Sequence, residues 1–337
     1  MKVSVVIPCR NEEKNIEACI HAIYSNSICK NDDIEVLVID GMSDDNTRGI
    51  LQKLAISYTT LKIIDNKKKI TPIAFNLGIN NSSGDFIQII GARQIISENY
   101  LEKAVELLER NSDVWCIGGC VENIHENSTS EIISKAMNTS FGVGAGNFRI
   151  LSKSAYVDTV GTPMYPKWVF EKIGLFDEVL IRNQDDEFNY RVTKNGGKIY
   201  LNTDITLQYF VRGNYSKLYT QYYQYGYWKV YVNKKVKAIT SLRQLAPSIL
   251  ILAIFGGAIL ALLHPALSSL YIIGVILYFL TAVYFSLTKS NSFTEFVFII
   301  YTFFILHFSY GLGYIKGIID FFILNTNPDK KNSELSR

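Results

Sequence analysis

Histidine is scarce in this 337-residue chain, and the four present, His21, His125, His264 and His307, are scattered too widely for a His-based metal centre. The five cysteines, Cys9, Cys19, Cys29, Cys116 and Cys120, form an odd set with no zinc-type CxxC pair. In a reducing cytosol they read as packing residues. No glycine-rich dinucleotide loop and no lysine-bearing phosphate loop follows any predicted strand, so dehydrogenase and nucleoside-triphosphatase readings lack their motifs. Charge of one sign is lacking too. The net charge of +3 is small for this length and the basic residues gather in one region, which gives nucleic-acid binding little support. At the amino end the apolar run at residues 3–7 is too short for a signal peptide and is followed by Pro8 and charges.

What is present divides sharply near residue 245. Residues 245–263 and 267–287 carry no charge, and each matches the roughly 20 apolar residues that span a bilayer. A buried soluble helix would show a polar face, and these do not. A third stretch, 293–324, has Glu295, Lys316 and Asp320 near its ends, so a span over 296–313 followed by an interfacial piece is expected. The predicted organisation is a catalytic domain at 1–213, an aromatic and basic segment at 214–244, a transmembrane region at 245–325 and a polar tail at 326–337. Lys229, Lys234, Lys235, Lys237 and Arg243 crowd the approach to the first span, which places the soluble part on the cytoplasmic face. Residues 264–266 then form the outer turn and Lys289 lies in an inner loop. Three spans would leave Lys330, Lys331 and Arg337 outside, so the side of the tail stays open. In the 214–244 segment Tyr215, Tyr219, Tyr222, Tyr223, Tyr225, Tyr227, Trp228 and Tyr231 interleave with Lys217, Lys229, Lys234 and Lys235. That mixture suits the headgroup layer, with membrane lipid as the partner and no nucleic acid.

In the first part, predicted strands at 2–7, 35–39, 61–64 and 85–90 alternate with helices starting at Glu12, Asn46 and Pro72. This βαβα pattern predicts an α/β fold with a doubly wound, mostly parallel sheet. Ile16, Cys19, Ile20 and Ile23 repeat at helical spacing and read as core. The strand at 35–39 runs straight into Asp40, followed by Gly41-Met42-Ser43-Asp44-Asp45-Asn46-Thr47. Ligands of open α/β sheets bind beyond the strand carboxyl ends, and Asp40 is the first polar group there, placed to accept hydrogen bonds from a ribose or base. Ser43, Asp44 and Asp45 serve either that pocket or the cap of the next helix, and Asn11 either caps the first helix or faces the same rim.

The segments Val3-Ser4-Val5-Val6-Ile7-Pro8 through Asn11-Glu12-Glu13 and Asp40 through Thr47, with Asn76-Leu77-Gly78 and Ser83-Gly84-Asp85 after them, resemble family 2 glycosyltransferases of the GT-A fold. Phe141-Gly142-Val143-Gly144, Val157-Asp158-Thr159-Val160, Gly174-Leu175-Phe176-Asp177-Glu178 and Arg182 through Arg191 resemble one subgroup, the succinoglycan-type sugar transferases of bacterial exopolysaccharide assembly. By that resemblance Asp40 would bind the uracil or ribose, with Pro8, Arg10 and Glu12 lining the same nucleotide edge. Asp185 would be the general base, with Asp186 and Glu187 beside it and Arg191 within one helical turn; Gln184 stands where the motif has glutamate. Without the resemblance, Asp185 and Asp186 are equally an acidic first turn favoured by the helix dipole. Three adjacent acids would also repel one another, which could raise one pKa toward a useful base.

Where the family's metal-binding DxD follows the fourth strand, this chain has Gly91-Ala92-Arg93. A divalent metal, Mg or Mn, loses its usual oxygen ligands there. Three explanations stand: metal held through the diphosphate and a remaining acid, Arg93 pairing with the diphosphate itself, or lost activity. Gln221 through Trp228 only loosely resembles the Gln-x-x-Arg-Trp motif of processive synthases, and without its arginine it suggests single-sugar addition. The resemblance thus implies an inverting transferase of the cytoplasmic (inner) membrane, multi-pass, moving one sugar from a uridine diphosphate sugar to a polyprenyl-linked glycan in polysaccharide or O-antigen synthesis. The alternatives are transfer directly to polyprenyl phosphate and a non-catalytic, sugar-nucleotide-binding membrane scaffold.

Overall fold

Val3, Val5, Val6 and Ile7, and Val36, Leu37, Val38 and Ile39, are wholly enclosed, as continuous apolar runs must be when a strand is covered on both faces. The computed structural model describes residues 2–28, 33–125, 127–144, 151–211 and 213–328; Cys29, Lys330, Lys331 and Arg337 lie outside them. In chain order the elements are β1 (Val3–Cys9), α1 (Ile16–Tyr24), β2 (Ile34–Asp40), α2 (Thr47–Ser57), β3 (Leu61–Asp65), α3 (Thr71–Asn80), β4 (Phe86–Ile89) and β5 (Gln94–Ile96). Then come α4 (Tyr100–Arg110), β6 (Val114–Ile124), α5 (Ser128–Met137), α6 (Ser140–Val143), β7 (Ala155–Tyr156), β8 (Gly161–Pro166), α7 (Lys167–Ile173), α8 (Gln184–Lys194) and β9 (Lys198–Phe210). The long helices α9 (Tyr215–Val236), α10 (Ala246–Ala261), α11 (Pro265–Leu287) and α12 (Phe293–Ile318) follow.

The chain divides into two compact units, Met1–Asn123 with Leu151–Phe210, and Ile124–Ile150 with Val211–Arg337. The first holds one mixed sheet in the order β3-β2-β1-β4-β8-β6-β9-β5, with β7 on β9. The expected parallel pairing covers β3, β2, β1 and β4. Beyond β4 the pairs β4–β8, β8–β6, β9–β5 and β9–β7 are antiparallel, so the parallel character stops at mid-sheet. The predicted α1 stripe of Ile16, Cys19, Ile20 and Ile23 is buried, but the helix starts at Ile16 rather than Glu12. Residues 12–15 form a turn in which the Asn15 and Ile16 amides both reach the Glu12 carbonyl at 2.9 Å. Asn11, read from sequence either as a cap or as part of the Asp40 rim, sits at φ 55° with its side chain bonded to Asp44.

Below the parallel strands Glu35 is enclosed, 2% exposed. It accepts hydrogen bonds from Ser4 Oγ (2.6 Å), Ser83 Oγ (2.9 Å) and the Ser83 amide. Burial by itself would raise its pKa, but these donors outweigh it and hold the carboxyl at about 2 against an ordinary 4.5. They tie β1, β2 and the turn before β4 together at the end of the sheet away from the strand carboxyl termini.

In the second unit three helical stretches, Leu242–Ala261, Pro265–Leu287 and Phe293–Ile323, are long and apolar enough to cross a membrane. The third is one continuous helical stretch, covering both the expected span at 296–313 and the piece after it. It continues because its charges are met: Asp320 pairs with Lys316 at 2.5 Å and accepts from Tyr227 Oη at 3.1 Å. Residues 124–150, read from sequence as part of the 1–213 domain, group here because their apolar side chains are satisfied here. Ala136 packs with Ala282, Ile299 and Phe303, Lys135 pairs with Glu295 at 2.9 Å, and Phe141 meets the ring of His307 at 4.8 Å.

Part of α9 is packed inside the second unit. Tyr227, Trp228 and Lys229 are at most 1% exposed, because α9 lies against α12 at backbone distance. A Cβ on Gly226 would fall 2.0 Å from the Tyr310 carbonyl oxygen, and one on Gly313 2.0 Å from that of Tyr223. Small residues of this kind let helices approach closely in lipid.

Two stability measurements follow from these contacts. Gly313→Ala should lower the thermal midpoint in detergent by the equivalent of about 1–3 kcal/mol of overpacking, although helix propensity alone would raise stability by about 1 kcal/mol. The sign decides. Because the folded pKa of Glu35 is depressed, its stabilisation is full above about pH 4.5 and lost as pH falls toward 2. Urea midpoints should show Glu35→Gln costing about 1–3 kcal/mol near neutrality and a smaller loss than wild type between pH 5 and 3.

Candidate active site

The carboxyl ends of β1 and β2 are in register, Cys9 opposite Asp40, and Asp40 is opposite Asp65 of β3. Asp40 is 1% exposed. Its Oδ1 accepts from the Ser43 amide (3.1 Å) and hydroxyl (2.6 Å), and its Oδ2 from Arg48 Nη1 (3.0 Å). The same Arg48 nitrogen lies 2.5 Å from Asp65, and these two carboxylates raise the guanidinium's pKa further above its ordinary value. Arg48 was not singled out from sequence. The signal was available: a cation in the first turn of α2, where the helix dipole disfavours it, calls for acids nearby.

The loops after β1 and β2 are stitched to each other. Asn11 exchanges side-chain bonds with Asp44, whose amide donates to Asn11 Oδ1 at 3.0 Å. The Asn11 amide donates to Ser43 Oγ at 3.0 Å and the Glu12 amide to Thr47 Oγ1 at 2.8 Å. Asp45 takes the capping role at α2, accepting from the Thr47 amide at 2.9 Å. The two readings of Ser43 to Asp45 thus divide by residue: Ser43 orients Asp40 and Asp45 caps. Pro8 lies in β1 opposite Ile39, and Arg10 follows the strand with its side chain beside Gly41, where a Cβ would meet Arg10 Cβ at 3.2 Å.

Arg93 stands in the tight turn between β4 and β5. Its Nε donates to both oxygens of Glu12, at 2.9 and 2.7 Å, so two residues predicted as separate parts of the nucleotide edge are one ion pair. Asn15 Nδ2 donates to Glu12 Oε2 at 3.0 Å. Of the two positions where the family carries its metal-binding carboxylates, one is Gly91, which has no side chain, and the other is this guanidinium, with the buried methyl of Ala92 between them. Among the described residues no group of three or more His, Cys, Asp or Glu side chains could hold a metal ion. The donor set therefore does not fit a resident divalent cation.

Asp185, Asp186 and Glu187 form the first turn of α8, preceded by Asn183 in the left-handed conformation at φ 58°. Their side chains separate in role. Glu187 turns inward, 5% exposed, and takes Arg191 Nε at 2.7 Å and Nη2 at 2.8 Å. Arg191 in turn donates to the carbonyls of Ile173 (2.6 Å) and Leu175 (2.8 Å), while Asn76 of α3 brackets Phe176 through its amide and carbonyl at 3.0 and 2.9 Å. Asp185 is left exposed at the helix start. One turn on, Asn189 accepts from Tyr165 Oη at 3.0 Å and donates to Thr159 Oγ1 at 3.1 Å. Burial, with the charge of Asp185 as a lesser contribution, holds Tyr165 well above its usual pKa, so it stays a donor. Gln221 and Trp228, also singled out from sequence, belong to the second unit. Both lie on α9 in the other unit, where Gln221 donates to Tyr225 Oη at 2.8 Å and Trp228 is buried. Cys9, Cys19 and Cys116 are free and buried; burial pushes the Cys19 thiol up to about 12, which suits packing and not nucleophilic chemistry.

Residues 4–174 match the model of Glycosyl transferase family 2. The chain is 32% identical to a dolichyl N-acetyl-alpha-D-glucosaminyl phosphate 3-beta-D-2,3-diacetamido-2,3-dideoxy-beta-D-glucuronosyltransferase of Methanococcus voltae, over 66% of this chain and 71% of that one. It is 27% identical to the succinoglycan biosynthesis protein ExoA of Rhizobium meliloti, over 77% and 78%. In fold it is similar to the S. aureus TarS 1-349 structure in complex with UDP, with TM-score 0.50 and 18% identity. That likeness covers 69% of this chain and just under two thirds, 65%, of TarS 1-349. The mixed sheet is accordingly of the GT-A type, and the chain belongs to glycosyl transferase family 2.

Proposed function

We propose that this protein is a membrane-anchored inverting glycosyltransferase that moves one sugar from a uridine diphosphate sugar to a lipid-linked glycan. The observation that carries the reading is the clamp on α8: Glu187, Arg191 and Asn76 are spent on holding the helix start and the 173–176 turn, and Asp185 is presented outward from them. In the reaction the acceptor hydroxyl oxygen bonds to the anomeric carbon as its proton passes to the Asp185 carboxylate. The bond from that carbon to the diphosphate oxygen breaks, and its electron pair leaves with the nucleoside diphosphate. Asp186 stands beside the base. Asp40, oriented by Ser43 and Arg48, receives the uridine, with Pro8, Arg10 and Glu12 along the same edge and Arg93 toward the diphosphate.

A lipid-linked acceptor is supported by the three apolar helices and by the Methanococcus relative, whose name describes transfer onto a dolichyl-linked N-acetylglucosaminyl phosphate. A cytoplasmic catalytic unit on a multi-pass inner-membrane protein is supported by the lysines and arginine before α10.

The test is turnover by purified protein in lipid, with a panel of nucleotide sugars and extracted lipid-linked oligosaccharides, read as released nucleoside diphosphate. Asp185→Asn should lower kcat about 10²- to 10⁴-fold and leave donor binding intact. Full activity in that variant would instead point to polyprenyl phosphate, an acceptor that is already an anion. Donor binding without turnover in wild type would support a scaffold.

A further inference from the structure

We infer that the charge of the departing diphosphate is met in this protein by Arg93 without a divalent metal, and that Glu12 is the positioning residue that aims it. The inference rests on the donor reading above and goes beyond it in assigning Glu12 a role and in dispensing with the cation.

Three observations converge. The turn after β4, at the carboxyl end of the strand where ligands of such sheets bind, offers Gly91, the buried methyl of Ala92 and a guanidinium. A hard dication needs several oxygen ligands, and a fixed positive charge at the same place repels it. Next, Arg93 is tethered by its Nε alone. Among the described residues neither Nη makes a protein hydrogen bond, so the outer edge of the fork is presented with its donors unspent. Such a fork matches the spacing of phosphate oxygens, which a lysine ammonium would meet only as a point charge. Finally, Glu12 is itself held: its side chain is 14% exposed against 40% for Arg93, its amide donates to Thr47 Oγ1 at 2.8 Å and Asn15 donates to its carboxylate at 3.0 Å. Thr47 opens α2 and Asn15 precedes α1, so the carboxylate that grips Arg93 is referenced to both helices. A long, mobile side chain is thereby given one direction before any donor arrives.

Glu12 is an anion beside an anion-binding group, and charge alone would make its removal tighten diphosphate binding. Orientation makes the opposite prediction, and that opposition is the test. The full chain in lipid nanodiscs is titrated with uridine diphosphate and with uridine, with chelator or with added Mn2+, and binding is read by ligand-observed NMR. Wild type should bind uridine diphosphate equally in both conditions. Arg93→Gln should weaken uridine diphosphate by about 10- to 100-fold and leave uridine unchanged. Glu12→Ala should weaken uridine diphosphate, whereas Glu12→Gln, which keeps an acceptor for Nε, should restore wild-type affinity. Loss of wild-type binding on chelation, or normal binding by Arg93→Gln, overturns the inference. Tighter binding in both Glu12 variants overturns the positioning role. If wild type binds neither uridine nor uridine diphosphate, the donor reading itself fails and this inference with it; uridine binding with no effect at Arg93 sinks this inference alone.

Discussion

A carboxylate at the end of a strand buried on both faces is costly unless it is compensated, and the compensation of Asp40 organises everything around it. Ser43 closes back on one oxygen, which sets the loop after β2. Arg48 reaches the other from the first turn of α2 and pulls in Asp65 of the next strand. With that loop fixed, its neighbours Asp44 and Thr47 become anchor points for Asn11 and Glu12 from the loop after β1. Glu12 then fixes Arg93. The chain of dependence runs from one buried acid to a cation two strands away.

The site also allocates its charges unevenly. Of three acids in the first turn of α8, one is neutralised inward against Arg191 and serves the fold, while Asp185 faces solvent. Of the arginines at the rim, Arg48 has its Nη1 shared by two acids and Arg93 keeps its Nη groups uncommitted. Mutations at neighbouring residues should therefore divide into those that move stability and those that move turnover, even though the residue types are the same.

Much of this was legible in the sequence and the rest was hidden for identifiable reasons. The parallel strands β1 to β4 announce themselves because a doubly covered strand must be an unbroken apolar run. The antiparallel half does not: β8 contains Pro163 and Pro166, and Thr162 takes a left-handed φ of 56°, features that argue against a strand when read one residue at a time. The start of α1 was misplaced since an asparagine before acids signals a cap, and here that amide is worth more across the loop to Asp44. The close packing of α9 was not legible, because composition cannot show that Gly226 and Gly313 bring a second helix against it. Asp40 and the α8 acids could be named from their motif; which acid turns inward depends on Arg191 one turn on and the carbonyls of the 173–175 turn, and that Glu12 and Arg93 are partners depends on a contact between residues about 80 positions apart.

The backbone-to-backbone seam between α9 and α12 bears on how the protein is made. α9 leaves the ribosome well before α12, and at ~5–20 residues per second its partner glycine follows roughly 4–17 s later. Until then the ring of Tyr227, which packs on Phe321, and the backbone groove at Gly226 await the late part of the chain that covers them. α10 and α11 are therefore made while α9 waits, and the seam closes only after the last apolar helix is delivered. Biogenesis of this enzyme is thus ordered from the far end backward, and a truncation just before α12 would strand α9 as a client for chaperones, with its aromatic face open.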